Sequence, residues 1–140
     1  MTSARAGYLI GTLFVVAVLA LSSCSSGPPK HIVKGKILYK GEPMKIQPMV
    51  GRLMVKFIEQ DVPGPVDTKY AKVEEDGSFE VRGEGSGIVA GKYKICVEWY
   101  EAFGKTPDKL GGKFDEKSSN LFKKIPDDGF LQIDVSKPGG

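Results

Sequence analysis

"TKYAKVEEDGSFEVRG", residues 68–83, decides the fold. Its halves alternate apolar and polar residues, with Ala71 and Val73 before the centre and Phe79 and Val81 after it. A period of two is the signature of a strand with one covered face. Asp76-Gly77 stands between the two runs. Asp-Gly supplies the positive φ that a tight hairpin turn demands, so the stretch predicts an antiparallel hairpin.

The same pattern continues on both sides. "HIVKGKILYK" (31–40) sets Val33, Ile37 and Tyr39 on one face and Lys34, Lys36 and Lys40 on the other, before "GEP" turns the chain. "GRLMVKFIEQ" (51–60) sets Leu53, Val55 and Phe57 inward and Arg52 and Lys56 outward. "DVPGPVD" (61–67) reads as a loop, because Pro63 and Pro65 lack ladder donors. "GEGSGIVAG" (83–91) reads as a glycine-rich connection. In "KYKICVEWYEAF" (92–103), Tyr93, Ile95, Val97 and Trp99 share one face. Lys94, Cys96, Glu98 and Tyr100 share the other, which predicts Cys96 as a small, partly covered residue on an outer sheet face. A last hairpin is expected between "LFKKI" (121–125) and "FLQIDV" (130–135), across Pro126-Asp127-Asp128-Gly129. About seven strands with no amphipathic helix between them predict an all-β fold, an antiparallel seven-strand β-sandwich.

The N-terminus has a different character. Arg5 precedes an apolar run from Tyr8 to Leu21, and no acid occurs before Cys24. A positive start and a short apolar core form the layout of a secretory signal, and the run is shorter than the roughly 20 residues that span a bilayer. "LSSC" (21–24) resembles the lipobox of bacterial lipoproteins. The resemblance implies cleavage before Cys24 and acylation of its thiol, so that membrane lipid is the first partner. Ser25, where an Asp would retain a lipoprotein at the inner membrane, leans toward the outer membrane of a cell envelope. The expected organisation is a signal peptide over 1–23, a lipid-anchored tether over 24–30 and one domain over 31–140.

Charge narrows the function classes. Excluding Arg5 lowers the formal net charge from +3 to +2, and the lysines are interleaved with acids, so no nucleic-acid partner is expected. The chain has two cysteines, Cys24 and Cys96, and lipidation of the first leaves no intramolecular disulfide. A reactive Cys96 would rest on Lys94 lowering its pKa, with no histidine near it in sequence.

From Val33 to Val135 the chain resembles the transthyretin-like, carboxypeptidase-regulatory-like domain of bacterial lipoproteins. The matching pieces occur in order: "VKGKILYKGEPM", "EEDGSFEV", "VAGKYKICV", "GKFDEKSSNL" and "GFLQIDVSKPG". The resemblance implies a prealbumin-like, seven-strand sandwich serving as a binding or accessory module. It implies no peptidase chemistry, because the zinc ligands of the carboxypeptidases lie in a separate domain.

Motifs for chemistry are sparse. His31 is the single histidine, too few for a zinc site or a Ser-His-Asp arrangement. Ser86 lacks the flanking glycines of a nucleophile elbow, and Gly91-Lys92 is followed by Tyr93 rather than Ser or Thr. Of the acidic pairs, only Asp115-Glu116 with Asn120 offers a calcium candidate, against a solvated loop as the plainer reading. No catalytic residue, metal or cofactor is expected.

The remaining candidate is "EAFGKTPDKLGGKFDEKSSN", residues 101–120, with Lys105, Lys109, Lys113 and Lys117 four apart. Connections this long are often functional. Pro107 and Gly111-Gly112 oppose a continuous helix. Tyr100, Phe103, Lys109, Lys113, Phe114 and Lys117 are the candidate partner-binding residues, an apolar anchor inside a polar rim. The plainer alternative is a crossover whose Leu110 and Phe114 cover the sandwich edge. The expected function is a non-catalytic, lipid-anchored module that binds an envelope protein or polymer. The alternative is a small-ligand carrier with a cleft between sheets or subunits.

Overall fold

Alternating side chains at 33–39 and 52–59 become the central strands of two sheets. The computed structural model describes residues 27–102, 104, 106–126 and 130–137, so Cys24, Phe103 and the signal lie outside the described residues. The strands are β1 (Lys30–His31), β2 (Val33–Tyr39), β3 (Glu42–Pro43), β4 (Arg52–Glu59), β5 (Thr68–Tyr70), β6 (Lys72–Val73), β7 (Ser78–Val81), β8 (Ile88–Val89), β9 (Gly91–Tyr100), β10 (Leu121–Ile125) and β11 (Leu131–Asp134). Among the described residues the fold is all-β, with no helix.

One sheet has the order β10-β9-β4-β5 and the other β11-β2-β7-β6, with β3 attached to β2; β1 pairs with β8 separately. Neither large sheet closes into a barrel. Leu53, Val55, Phe57, Tyr93, Ile95 and Val97 of the first share one core with Val33, Ile37, Phe79, Val81, Leu131 and Ile133 of the second. The rings of Phe57 and Phe79 meet across it, centroids 5.9 Å apart. Each large apolar side chain buried this way contributes about 1.5–3 kcal/mol.

Residues 68–83 serve both sheets. Tyr70 pairs with Lys56 in one, and Val73 pairs with Phe79 in the other. The crossing falls at Ala71, whose N–H donates to Val55 O at 2.9 Å. The predicted Asp-Gly turn is present. Gly77 takes φ +77°, and Asp76 Oδ1 accepts from the Ser78 amide at 3.0 Å and hydroxyl at 2.5 Å.

Three expectations are corrected. First, residues 121–135 form no hairpin: β10 pairs antiparallel with β9, whereas β11 pairs parallel with β2, Ile133 opposite Ile37. Without them β9 and β2 would be exposed edges with unpaired backbone groups, so the chain crosses between sheets to cover both. Second, the sheets are therefore not wholly antiparallel, and the strands exceed seven because two-residue pairings such as β1–β8 also form. Third, Cys96 is fully buried at 0% exposure, not partly covered. It lies opposite Lys56, whose ammonium binds Glu116 of the 101–120 connection at 2.8 Å, and that connection folds over the sheet face.

The same connection completes an edge. Beyond the Leu121–Ile95 pair, β10 no longer borders β9. There the Val97 amide donates to Phe114 O at 2.9 Å, the Lys109 amide to Trp99 O at 2.8 Å, and the Ser119 hydroxyl to Ile95 O. Strand directions then sort the molecule by ends. β2 starts beside β1 and stops at Tyr39, β11 runs parallel to it, and β9 runs from Gly91 to Tyr100. Chain entry at Lys30 and the 82–91 connection lie at one end; Lys40, the 106–120 segment and Val135–Lys137 lie at the other.

Candidate functional site

At the end opposite the chain entry, three connections enclose a cleft of about 370 Å³. Tyr39 and Lys40 come from the β2–β3 turn; Lys109, Leu110, Lys113, Phe114 and Asn120 from the long connection; Val135, Ser136 and Lys137 from the end of β11. Four of these side chains are lysines, and among the described residues none of the lining is acidic.

Local chemistry explains each placement. Lys40 adopts φ +55°, a left-handed backbone uncommon outside glycine, to let β2 turn into β3. This turn brings its ammonium 5.3 Å from the Tyr39 ring. The connection is shaped by Asp108, whose carboxylate accepts from Trp99 N at 2.8 Å, Leu110 N at 3.0 Å and Gly112 N at 2.9 Å. Gly111 and Gly112 both take positive φ, which breaks any helix and leaves successive turns. Lys109 is thereby held over Trp99, 4.4 Å from the ring centroid, and pairs with Glu101. Trp99 in turn packs against Tyr39, centroids 6.0 Å apart.

Asp134 anchors the third wall. It accepts from Gly41 N at 3.0 Å and from the Ser136 amide and hydroxyl at 2.9 and 2.6 Å. The Ser136 bonds first, with the Gly41 amide and Lys137 also contributing, hold its carboxyl below the usual carboxylate range. Lys137 lies 3.9 Å from it. Lys40 and Lys113 have no ion pair among the described residues.

The candidate residues from the sequence divide between two places. Lys109, Lys113 and Phe114 meet in the basic cleft. Phe114 is 7% exposed and belongs with Leu110 to the core, so only its margin floors the cleft. Tyr100 and Lys117 line a shallower groove on the outer face of the first sheet, with Lys56, Glu98, Asp115 and Glu116. Phe103 lies outside the described residues. Tyr39, Lys40 and Lys137 escape a reading of the 101–120 stretch because they arrive from the two far ends of the chain. The local signal for Lys40 was the Lys-Gly step before "EP".

The outer groove is internally neutralised. Lys56 Nζ lies 2.9 Å from Glu98 and 2.8 Å from Glu116, and Tyr100 donates to Glu98 at 2.5 Å. Burial alone would lower the Lys56 pKa, but its bonds to Glu116 and Glu98 hold it well above the usual value. Cys96 sits beneath this network. Burial pushes its thiol up to about 11 despite the opposing charge of Lys94. The calcium candidates do not converge: Asp115 caps the amides of Lys117 and Ser118, Glu116 binds Lys56, and Asn120 lines the other cleft. Among the described residues no cluster of His, Cys, Asp or Glu could hold a metal ion, and no helix is long and apolar enough to cross a membrane.

The arrangement can attract and hold a negative charge over an apolar floor. In comparisons with known proteins, the chain matches no family model, no curated protein and no solved structure.

Proposed function

We propose that this chain is a lipid-anchored protein of the bacterial cell envelope, a non-catalytic sandwich module of transthyretin-like type that binds an envelope partner through its basic cleft. The lipobox-like "LSSC" and the order of the domain motifs support the anchor and the family. The observation that carries the binding role is the position of the cleft. Lys30, the first residue of β1, follows Cys24 by six residues, a reach of at most about 21 Å. The cleft opens beyond the other end of β2, whose seven residues span roughly 23 Å. An acylated Cys24 would thus keep one end near the lipid and turn the four lysines away from it.

The test uses the full-length chain in its native envelope. Wild type and a Lys40→Ser, Lys109→Ser, Lys113→Ser, Lys137→Ser variant are cross-linked, recovered and compared for envelope material. A palmitate analogue is fed to wild type and Cys24→Ala in parallel. Labelling confined to wild type, with recovery lost in the quadruple variant, supports the proposal. Equal labelling overturns the anchor, and undiminished recovery overturns the cleft as the binding site.

A further inference from the structure

The geometry points to an anionic glycan, a sugar polymer bearing carboxylate or phosphate groups, as the ligand of the basic cleft. This rests on the binding-module reading and names its ligand.

Three observations converge. First, the lining is one-signed: Lys40, Lys109, Lys113 and Lys137 surround a cleft whose described lining contains no acid. Although Lys109 pairs with Glu101 and Lys137 lies 3.9 Å from Asp134 behind it, Lys40 and Lys113 have no ion pair among the described residues. Lysine offers a point charge rather than a planar fork, which suits anionic groups spaced along a polymer better than one bidentate contact. Second, the floor is apolar and partly aromatic, built from the margins of the buried Leu110, Phe114 and Val135 and from Tyr39, a residue 38% exposed. A pyranose carries an apolar C–H face and a rim of hydroxyls. The Tyr39 ring fits the former, and Asn120 and the Ser136 oxygen fit the latter.

Third, most backbone amides around the cleft are engaged internally. The amides of Gly41, Lys109, Lys113, Val135, Ser136 and Lys137 donate to Asp134, Trp99 O, Leu110 O, Leu38 O, Asp134 and Asp134 O respectively. An extended acidic peptide gains much of its affinity from backbone pairing with an open edge. That pairing is missing among these groups, so recognition falls to side chains, which read charge and ring.

Binding of the full-length chain in detergent is measured against four polymers: carboxymethyl-dextran, dextran phosphate, neutral dextran and poly-L-glutamate. The charged dextrans are expected to bind, with affinity falling steeply as salt rises, and neutral dextran is not. The quadruple Lys→Ser variant should bind them at least tenfold more weakly at unchanged melting temperature. Should it unfold, the single variants Lys40→Ser and Lys113→Ser serve, each expected to lose two- to fivefold. Tyr39→Ser should weaken the charged dextrans about fivefold and leave poly-L-glutamate unchanged. Preference between the two charged dextrans identifies carboxylate or phosphate as the source. Tighter binding of poly-L-glutamate than of either charged dextran overturns the glycan in favour of an acidic polypeptide. Failure of both charged dextrans also overturns it, and the binding-module reading survives that result if envelope recovery still depends on the four lysines. Equal binding by the lysine variants overturns the cleft.

Discussion

The Gly41 amide donates to Asp134 Oδ2 at 3.0 Å, joining positions 93 apart in the chain. The bond clamps the β2–β3 turn, which carries Lys40, to the end of β11, which carries Lys137. Asp134 is nearly buried, and its other oxygen serves Ser136. Replacing Asp134 by Ala removes bonds whose donors belong to the exposed residues Gly41 and Ser136, which water can solvate. It should cost about 0.5–1.5 kcal/mol, the usual net worth of a hydrogen bond. Urea denaturation checks the stability. Asp134→Asn, which keeps an acceptor, should lose less. Loss of the clamp should also weaken ligand binding at temperatures where the variant remains folded.

Gly77→Val, Gly77→Ala and Gly77→Asn should all destabilise. At φ +77° a side chain is strained by about 1–3 kcal/mol. Asparagine tolerates this backbone better than valine, but any Cβ would lie 2.4 Å from the Met44 carbonyl oxygen. If backbone conformation alone mattered, Gly77→Asn would be close to wild type in melting temperature; the Met44 contact requires that it is not.

Gly35→Ala should be as damaging, for a different reason. The Gly35 backbone is ordinary for a strand, yet a Cβ would meet Leu131 O at 2.2 Å and Phe79 Cζ at 2.4 Å. The former is backbone and cannot swing aside without parting β11 from β2. Overpacking of this kind costs about 1–3 kcal/mol or more. Hydrogen exchange should show the loss concentrated in Leu131–Asp134, and uniform protection there would contradict the account.

Cys96 should resist alkylation. It has no exposed surface, and its thiol is pushed up to about 11 by burial, so little thiolate exists at neutral pH. Iodoacetamide is expected to modify Cys96 only in denaturant. Modification of the native Cys24→Ala protein within minutes at pH 7 would show that the 101–120 connection opens readily.

Acid should act late and in one direction. Asp76, Asp115 and Asp134 are each held below the usual carboxylate range, Asp76 by the Ser78 hydroxyl and amide with Lys36, Asp115 chiefly by Ser118. A carboxyl with a lower pKa folded than unfolded stabilises fully above its unfolded value, near 3.9, and loses that contribution as pH falls toward the folded value. Urea midpoints should therefore be flat from about pH 7 to 5 as far as these groups are concerned and drop below about 4. Asp76→Asn should shallow the drop, and a midpoint that rises on acidification would have the wrong sign.

The sequence by itself determined the strands and most of their inward faces. Alternation at Leu53, Val55, Phe57, Phe79 and Val81 is a local property, and so is the Asp76-Gly77 turn; both are met within a few residues. Only the tertiary structure decided which strands become neighbours. Pairing β11 with β2 rather than β10 depends on which edges are left open once the central strands have met, and no local pattern encodes that. The burial of Cys96 is non-local for the same reason: its face reads as polar along β9, and its cover comes from another segment, Glu116 bound to Lys56. The cleft follows this logic. Lys109 and Lys113 are conspicuous in one stretch, but their companions Lys40 and Lys137 are about 100 residues apart and become a site only because parallel pairing of β2 and β11 brings both strand ends to the same edge of the molecule.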